Sequence, residues 1–292
     1  MRNNLSLSAI LVFCTSIVAP AVYATDPHTV HTGEAELDAS VTFSGDTDDG
    51  TGVGLSVGAG GNDLTVHSQQ RDHSVHATSG GGDFHLRFVD GETQGEINGD
   101  LDILVGTHTP FDTDSNVAFM HGWRMHGDLG IRPYSDYEPF QLSATTGYEL
   151  GAVIVDDTRE ENAVTISAAP EVGVTTMGDG GFGFLIGGSL NGRWGLTDTL
   201  SLTGRSGIYY LAGSSPITGE NRNGFEWQNG LRFDWQPADS RFGLFAEANY
   251  RMRELDMGSD SEEIDSIQHE GQIRLGGTIR LGPVTANTAN ND

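Results

Sequence analysis

The chain has 292 residues, 41 Asp and Glu against 15 Lys and Arg, and a formal charge of −26. All 15 cations are arginines, because the sequence contains no lysine. So acidic a chain repels nucleic acid, which excludes that partner class. The one cysteine, Cys14, lies in a removable leader, so the mature chain has no disulfide, thiolate metal site or thiol nucleophile to offer.

Residues 1–24 carry Arg2, an apolar centre and a small-residue site ending at Ala24. This is the pattern of a signal peptide, which predicts export and a mature domain from residue 25. Beyond it no run reaches 18 consecutive apolar residues, so no helical span is expected. Extended segments are predicted instead at 35–43, 53–59, 64–67, 84–89, 97–105, 117–131, 140–155 and 164–174. Pro170 predicts a bulge or bend in the last of these.

The clearest alternation follows. From Phe182 to Leu196 the even positions are apolar or glycine, and Asn191 and Arg193 fall between them. Ile208 and Tyr210 lie opposite Arg205 in phase, Phe225 and Leu231 opposite Arg232, Leu244 and Tyr250 opposite Arg251 and Arg253, and Ile273 and Ile279 opposite Arg274 and Arg280. Side chains alternate between the faces of a strand, so each run has one apolar and one polar face. The runs last about ten residues or more, the length of a tilted strand that crosses a bilayer.

These observations predict an all-β fold, a single transmembrane antiparallel up-and-down β-barrel over 25–281, followed by a polar C-terminal tail at 282–292. The segments number thirteen, whereas single-chain bacterial barrels have an even number of strands; twelve is preferred and fourteen is the alternative. The region 64–89 holds the doubtful strand. Short connections at 196–199 and 236–241 alternate with long polar ones at 213–223 and 256–267, as periplasmic turns alternate with external loops.

The stretch GFGFLIGGSLNGRWGLTDTLSLTGRSGIYYLAG, with FEWQNGLRFDWQPADSRFGLFAEANYRM and GQIRLGGTIRL, resembles Gram-negative outer-membrane β-barrel proteins. Within these it is most similar to pore-forming major outer-membrane proteins of the Legionella type. The resemblance implies location in the cell outer membrane, with outer-membrane lipid and the barrel assembly machinery as partners. Such proteins end on an aromatic residue, whereas this sequence continues past Leu281 into GPVTANTANND.

If the apolar faces meet lipid, Asp100, Asp102, Arg193, Arg205, Arg232, Arg251, Arg253, Arg274 and Arg280 line the lumen, because an arginine facing the bilayer midplane costs about 2–4 kcal/mol. Glu36, Asp38 and Asp63 share the early polar faces, so acids dominate the first half of the wall and arginines the second. This split suits a passive, porin-like channel for small polar solutes or ions. The other readings are charges that pair and plug the lumen, leaving a structural or binding barrel with acidic loops, and a lipid-modifying barrel enzyme. Tyr148, Trp194, Tyr210, Trp235 and Tyr250 are expected in interfacial girdles.

The pairs His28/His31 and His73/His76 fall in loop-like sequence where a three-residue spacing fixes no ligand geometry, and the GDTDDG run lacks the spacing of a calcium loop. No metal or cofactor is expected. Ser206 falls on the lipid face with no His nearby, His121 and His126 have no local serine, and His269 beside Glu270 fits ordinary loop chemistry, so no catalytic residues are assigned.

Overall fold

The computed structural model describes residues 29–46, 50–69, 72–89, 92–110, 117–133, 139–156, 159–177, 181–197, 199–214, 221–237, 240–259 and 262–281. The expected leader at 1–24, the expected tail at 282–292 and His28 lie outside these residues, and the side chains of His31, Asp63 and His73 lie outside those described. Twelve strands run in chain order: β1 Thr29–Asp46, β2 Gly50–Gln69, β3 Asp72–Val89, β4 Glu92–Pro110, β5 Val117–Ile131, β6 Phe140–Asp156, β7 Arg159–Met177, β8 Gly181–Thr197, β9 Leu200–Ser214, β10 Asn221–Trp235, β11 Phe242–Ser259 and β12 Glu262–Arg280. Each pairs antiparallel with its sequence neighbours, and β12 closes on β1.

The thirteenth expected segment, 64–67, is the upper part of β2. Asn62 and Asp63 mimic a turn there, yet they pair in register with Ser79 and Thr78 of β3. Pro170 brings no register shift. It pairs opposite Gly188 on β8, and the β6–β7 register is the same on either side of it, from Gly147↔Glu171 to Leu150↔Ala168. The irregularities fall instead at Ile154/Asp156 and Gly195/Thr197. The polar segment expected as a loop at 256–267 is mostly hairpin, with pairing continuous out to Ser259↔Glu262.

The register fixes the barrel's dimensions. From Asp46 the pairing runs through Glu270, Arg251, Gln228, Gly207, Ser189, Ala169, Glu149, Gly122, Gly106, Val75 and Val66 and returns to β1 at Val30. The offset, 46 − 30, is a shear of 16 residues. Twelve strands with that shear, at ordinary strand spacing and rise, tilt by about 43° and form a cylinder of roughly 12–13 Å backbone radius. A round cylinder of that size has room for a lumen, so its side chains decide whether one remains.

Outward positions carry the apolar residues. Leu37, Leu55, Leu101, Ile166, Ile186, Leu190, Ile208, Leu231, Leu244 and Ile273 are all exposed. Such a surface around a closed barrel is the opposite of a water-soluble fold, whose large side chains turn inward. The buried apolar cluster lies inside the barrel: Met177, Leu185, Tyr209, Leu211 and Leu255, at inward positions of β7, β8, β9 and β11. Glycines make room for the larger inward rings. A Cβ on Gly207 would meet the Tyr209 ring at 2.6 Å, and one on Gly54 would meet His85 Nε2 at 1.9 Å.

Candidate functional site: a charge-filled lumen

Inward positions on β5 to β12 carry arginines and acids in interlocking sets. On β9, Arg205 reaches Glu171 of β7 at 3.0 Å and the Tyr209 hydroxyl at 3.1 Å. Tyr209 and Ser189 each donate to Glu171 at 2.6 Å. Arg251 and Arg253 of β11 donate to one oxygen of Glu226 on β10, at 2.9 and 2.8 Å, and both reach Thr175 of β7. On β5, Arg124 pairs with Asp102 at 2.6 Å and Glu149 at 3.1 Å, and Ser167 also donates to Glu149.

A fourth set spans β10 to β3. Arg274 lies 3.0 Å from Asp38, 3.4 Å from Asp83 and 3.8 Å from Glu247. Arg232 lies 2.9 Å from Asp234, 3.6 Å from Glu247 and 4.0 Å from Glu36. Both guanidinium groups sit over the Phe245 ring, an inward aromatic that adds a cation–π contact.

All nine expected lumen residues stand at inward register positions, but their environments differ. Arg205, Arg232, Arg251, Arg253, Arg274 and Asp102 belong to the sets above. Arg193 and Asp100 are exposed to the interior water. Arg280 lies opposite Glu36 in the β1–β12 register, and Asp100 lies directly opposite Asp128. Inward positions of β1–β5 are mostly acidic, but the later wall is not an array of arginines alone. Glu149, Glu171, Glu226 and Glu247 also point inward on β6, β7, β10 and β11, where they neutralise the arginines locally. Parity alone places these four on the polar face, since each sits between apolar residues. Their pairing depends on strand order and register, which parity does not supply.

The two ends of the lumen are unlike. Toward the end away from the termini, His85, Arg87, Glu96, Thr175, Met177, Leu185, Leu211, Glu226, Arg253 and Leu255 are buried and fill the space within the wall. Toward the end that holds the termini, the inward Asn62, Ser79, Arg193 and Thr203 are exposed. The interior is thus a cup, wet at the terminal end and filled at the other.

Some contacts cross the cup. Arg132, just past β5, pairs with Glu270 of β12 and lies 3.7 Å from Glu96 of β4. Going through β1, the strands β5 and β12 are five steps apart in a ring of twelve. In a round cylinder these side chains would not meet, so the wall is pressed inward there.

The outer wall carries aromatic clusters toward both ends. Phe119, His121, Trp123 and Tyr148 associate on β5 and β6, with the Tyr148 hydroxyl 2.7 Å from His121 Nδ1. Toward the other end Tyr210 meets Phe225, and Tyr250 meets Trp227 and His269, its hydroxyl 2.8 Å from His269 Nδ1. Trp194 and Trp235 are outward and lie toward the terminal end. Rings with polar tips at two levels are the pattern of interfacial girdles. His121 and His269 are thus bonded within the outer wall. Ser206 is outward too, donating to Asn229 at 2.8 Å and accepting from Trp227 Nε1 at 3.3 Å. His126 faces inward, 3.0 Å from Asp128.

No known family and no curated protein matches the chain. Among solved structures it is similar to an outer membrane channel from Pseudomonas putida F1, with 9% identity over 89% of this chain and 99% of the other and a TM-score of 0.40. It is also similar to OmpT of Vibrio cholerae, with 11% identity over 89% and 100% and a TM-score of 0.33. The translocator domain of the autotransporter NalP from Neisseria meningitidis gives 13% identity over 85% and 88%, with a TM-score of 0.31. The first two of these are outer-membrane proteins.

Proposed function

We propose that this chain is an exported outer-membrane β-barrel of the channel type that is closed at rest. The observation that carries this reading is the filled end of the lumen, where Glu226 and Arg253 are buried against each other and Arg251, only 17% exposed, shares the same carboxylate oxygen. Ions and solutes that cross a barrel need a continuous wet path, and a buried ion-pair layer interrupts one. The apolar outer face and the two aromatic levels support the membrane location, and the resemblance to Legionella-type pore-forming proteins remains part of the proposal. No cofactor or catalytic group enters this reading.

Swelling of liposomes that contain the purified protein tests it. Wild-type vesicles in isosmotic arabinose should swell no faster than protein-free ones. Rapid swelling would overturn closure at rest and favour the second reading, a passive porin-like channel for small polar solutes. That second reading draws on the wet terminal half, where Asp100 and Arg193 are exposed.

A further inference from the structure

We propose that Arg132 is a latch, and that its release opens a lane for small cations along the β1–β5 wall. The inference rests on the closed-at-rest reading and says how closure is relieved and for which solutes. It begins from an inequality between the two halves of the filled lumen. At the filled end the β7–β11 side holds the buried apolar cluster. Met177, Leu185, Tyr209, Leu211 and Leu255 have at most 1% of their surface exposed, and Glu171 and Glu226 are buried beside them, bonded to Arg205 and Arg251, whose side chains are each 17% exposed. Separating that half would strand buried charges without partners, which makes it the fixed part of the molecule.

The β1–β5 half is built differently. Its inward positions carry Asp38, Asp83, Asp100, Asp102 and Asp128, with Arg274 paired to Asp38 and Asp83 and Arg124 paired to Asp102. Asp100 and Asp128 face each other directly across β4 and β5, an arrangement of like charges that opposes close packing. Water reaches both: Asp100 is exposed, and the Asp128 side chain is 47% exposed. Arg232–Glu36 and Arg274–Asp83 border this region on its β1–β3 side.

Arg132 stands over the same region at the filled end. From the end of β5 it joins Glu96, beside it on β4, to Glu270 on the far wall. Beneath it His85 meets Glu96 at 3.3 Å. The Glu270 side chain is about a third exposed (32%), so its bond to Arg132 is solvated and exchangeable in a way that the Glu226 pairs are not. Removing one guanidinium there severs this wall-to-wall tie and leaves the β7–β11 cluster intact. The space that opens is lined by carboxylates, so cations should pass in preference to anions.

The test is planar-bilayer recording of the full-length protein across a potassium chloride gradient, with Arg132→Gln, Glu270→Gln and Arg132→Lys beside wild type. Heat-modifiable electrophoretic mobility selects folded barrels for each. Arg132→Gln and Glu270→Gln should each show about tenfold more open time than wild type, with a reversal potential of cationic sign. Arg132→Lys, which keeps the charge, should stay as silent as wild type. Adding Asp100→Asn and Asp128→Asn to Arg132→Gln should leave the steps and reduce their cation preference. Folded Arg132→Gln and Glu270→Gln barrels that remain silent, or that open with anion preference, would overturn the latch while leaving closure at rest standing. A wild type that conducts steadily by itself would instead overturn closure at rest.

Discussion

Glu226→Gln is the substitution whose cost the geometry fixes best. The carboxylate is fully buried and takes Arg253 at 2.8 Å and Arg251 at 2.9 Å on the same oxygen. At an effective dielectric near 20, unit charges at such separations attract by about 4 kcal/mol or more per pair, before the desolvation of the three groups is subtracted. The variant keeps the shape and removes the charge that two guanidinium groups share, both of which also reach Thr175. Breaking a buried pair from one side costs about 3–5 kcal/mol, so a loss of about 4 kcal/mol is expected. Urea unfolding in lipid vesicles, followed by tryptophan fluorescence, reads it directly. Glu36→Gln is the internal comparison. Glu36 is 39% exposed and 4.0 Å from Arg232, so its loss should cost less than about 1 kcal/mol. Adding Arg253→Met to Glu226→Gln removes one stranded charge and should recover part of the stability. If Glu226→Gln and Glu36→Gln lose the same small amount, the ion-pair layer is not what consolidates the lumen.

Other outcomes follow from the same geometry. Leu190→Arg places a charge on the outer wall and should cost about 2–4 kcal/mol in vesicle unfolding, against little for Arg193→Glu on the wet inner face. Gly187→Val should destabilise the barrel by about 1–3 kcal/mol or more, because its Cβ would lie 2.0 Å from the Ile208 carbonyl oxygen. Charge reversal at Arg251 should reduce the yield of folded, heat-modifiable barrel, since that arginine is committed to Glu226. Amino-terminal sequencing of the exported protein should begin at Thr25; an intact leader would refute the export signal.

Barrel class, strand phase and the enclosure of the arginines are all legible in the sequence, because a period of two separates the faces wherever a strand is long. Asp234 between Phe233 and Trp235 is inward for the same reason as Glu149 between Tyr148 and Leu150. What escapes sequence reading is the choice of partner. Arg205 bonds Glu171, two strands away, and Arg132 reaches Glu270, 138 residues along the chain; both depend on shear and on the flattening of the wall. The surplus strand arose from Asn62 and Asp63, whose turn chemistry is overridden by continuous pairing with β3. Likewise the acids of 256–267 read as loop, although the β11–β12 ladder extends through them.

A barrel of this kind requires that apolar side chains meet hydrocarbon and charged ones are enclosed. Cys14 is the one cysteine in the sequence, so with Cys14 replaced by serine single cysteines can be introduced and spin-labelled. A nitroxide scan of 181–196 in bilayers, read by oxygen accessibility, should oscillate with a period of two, with maxima at Phe184, Ile186 and Leu190 and minima at Leu185 and Ser189. Maxima at the odd positions, or a flat profile, would contradict it.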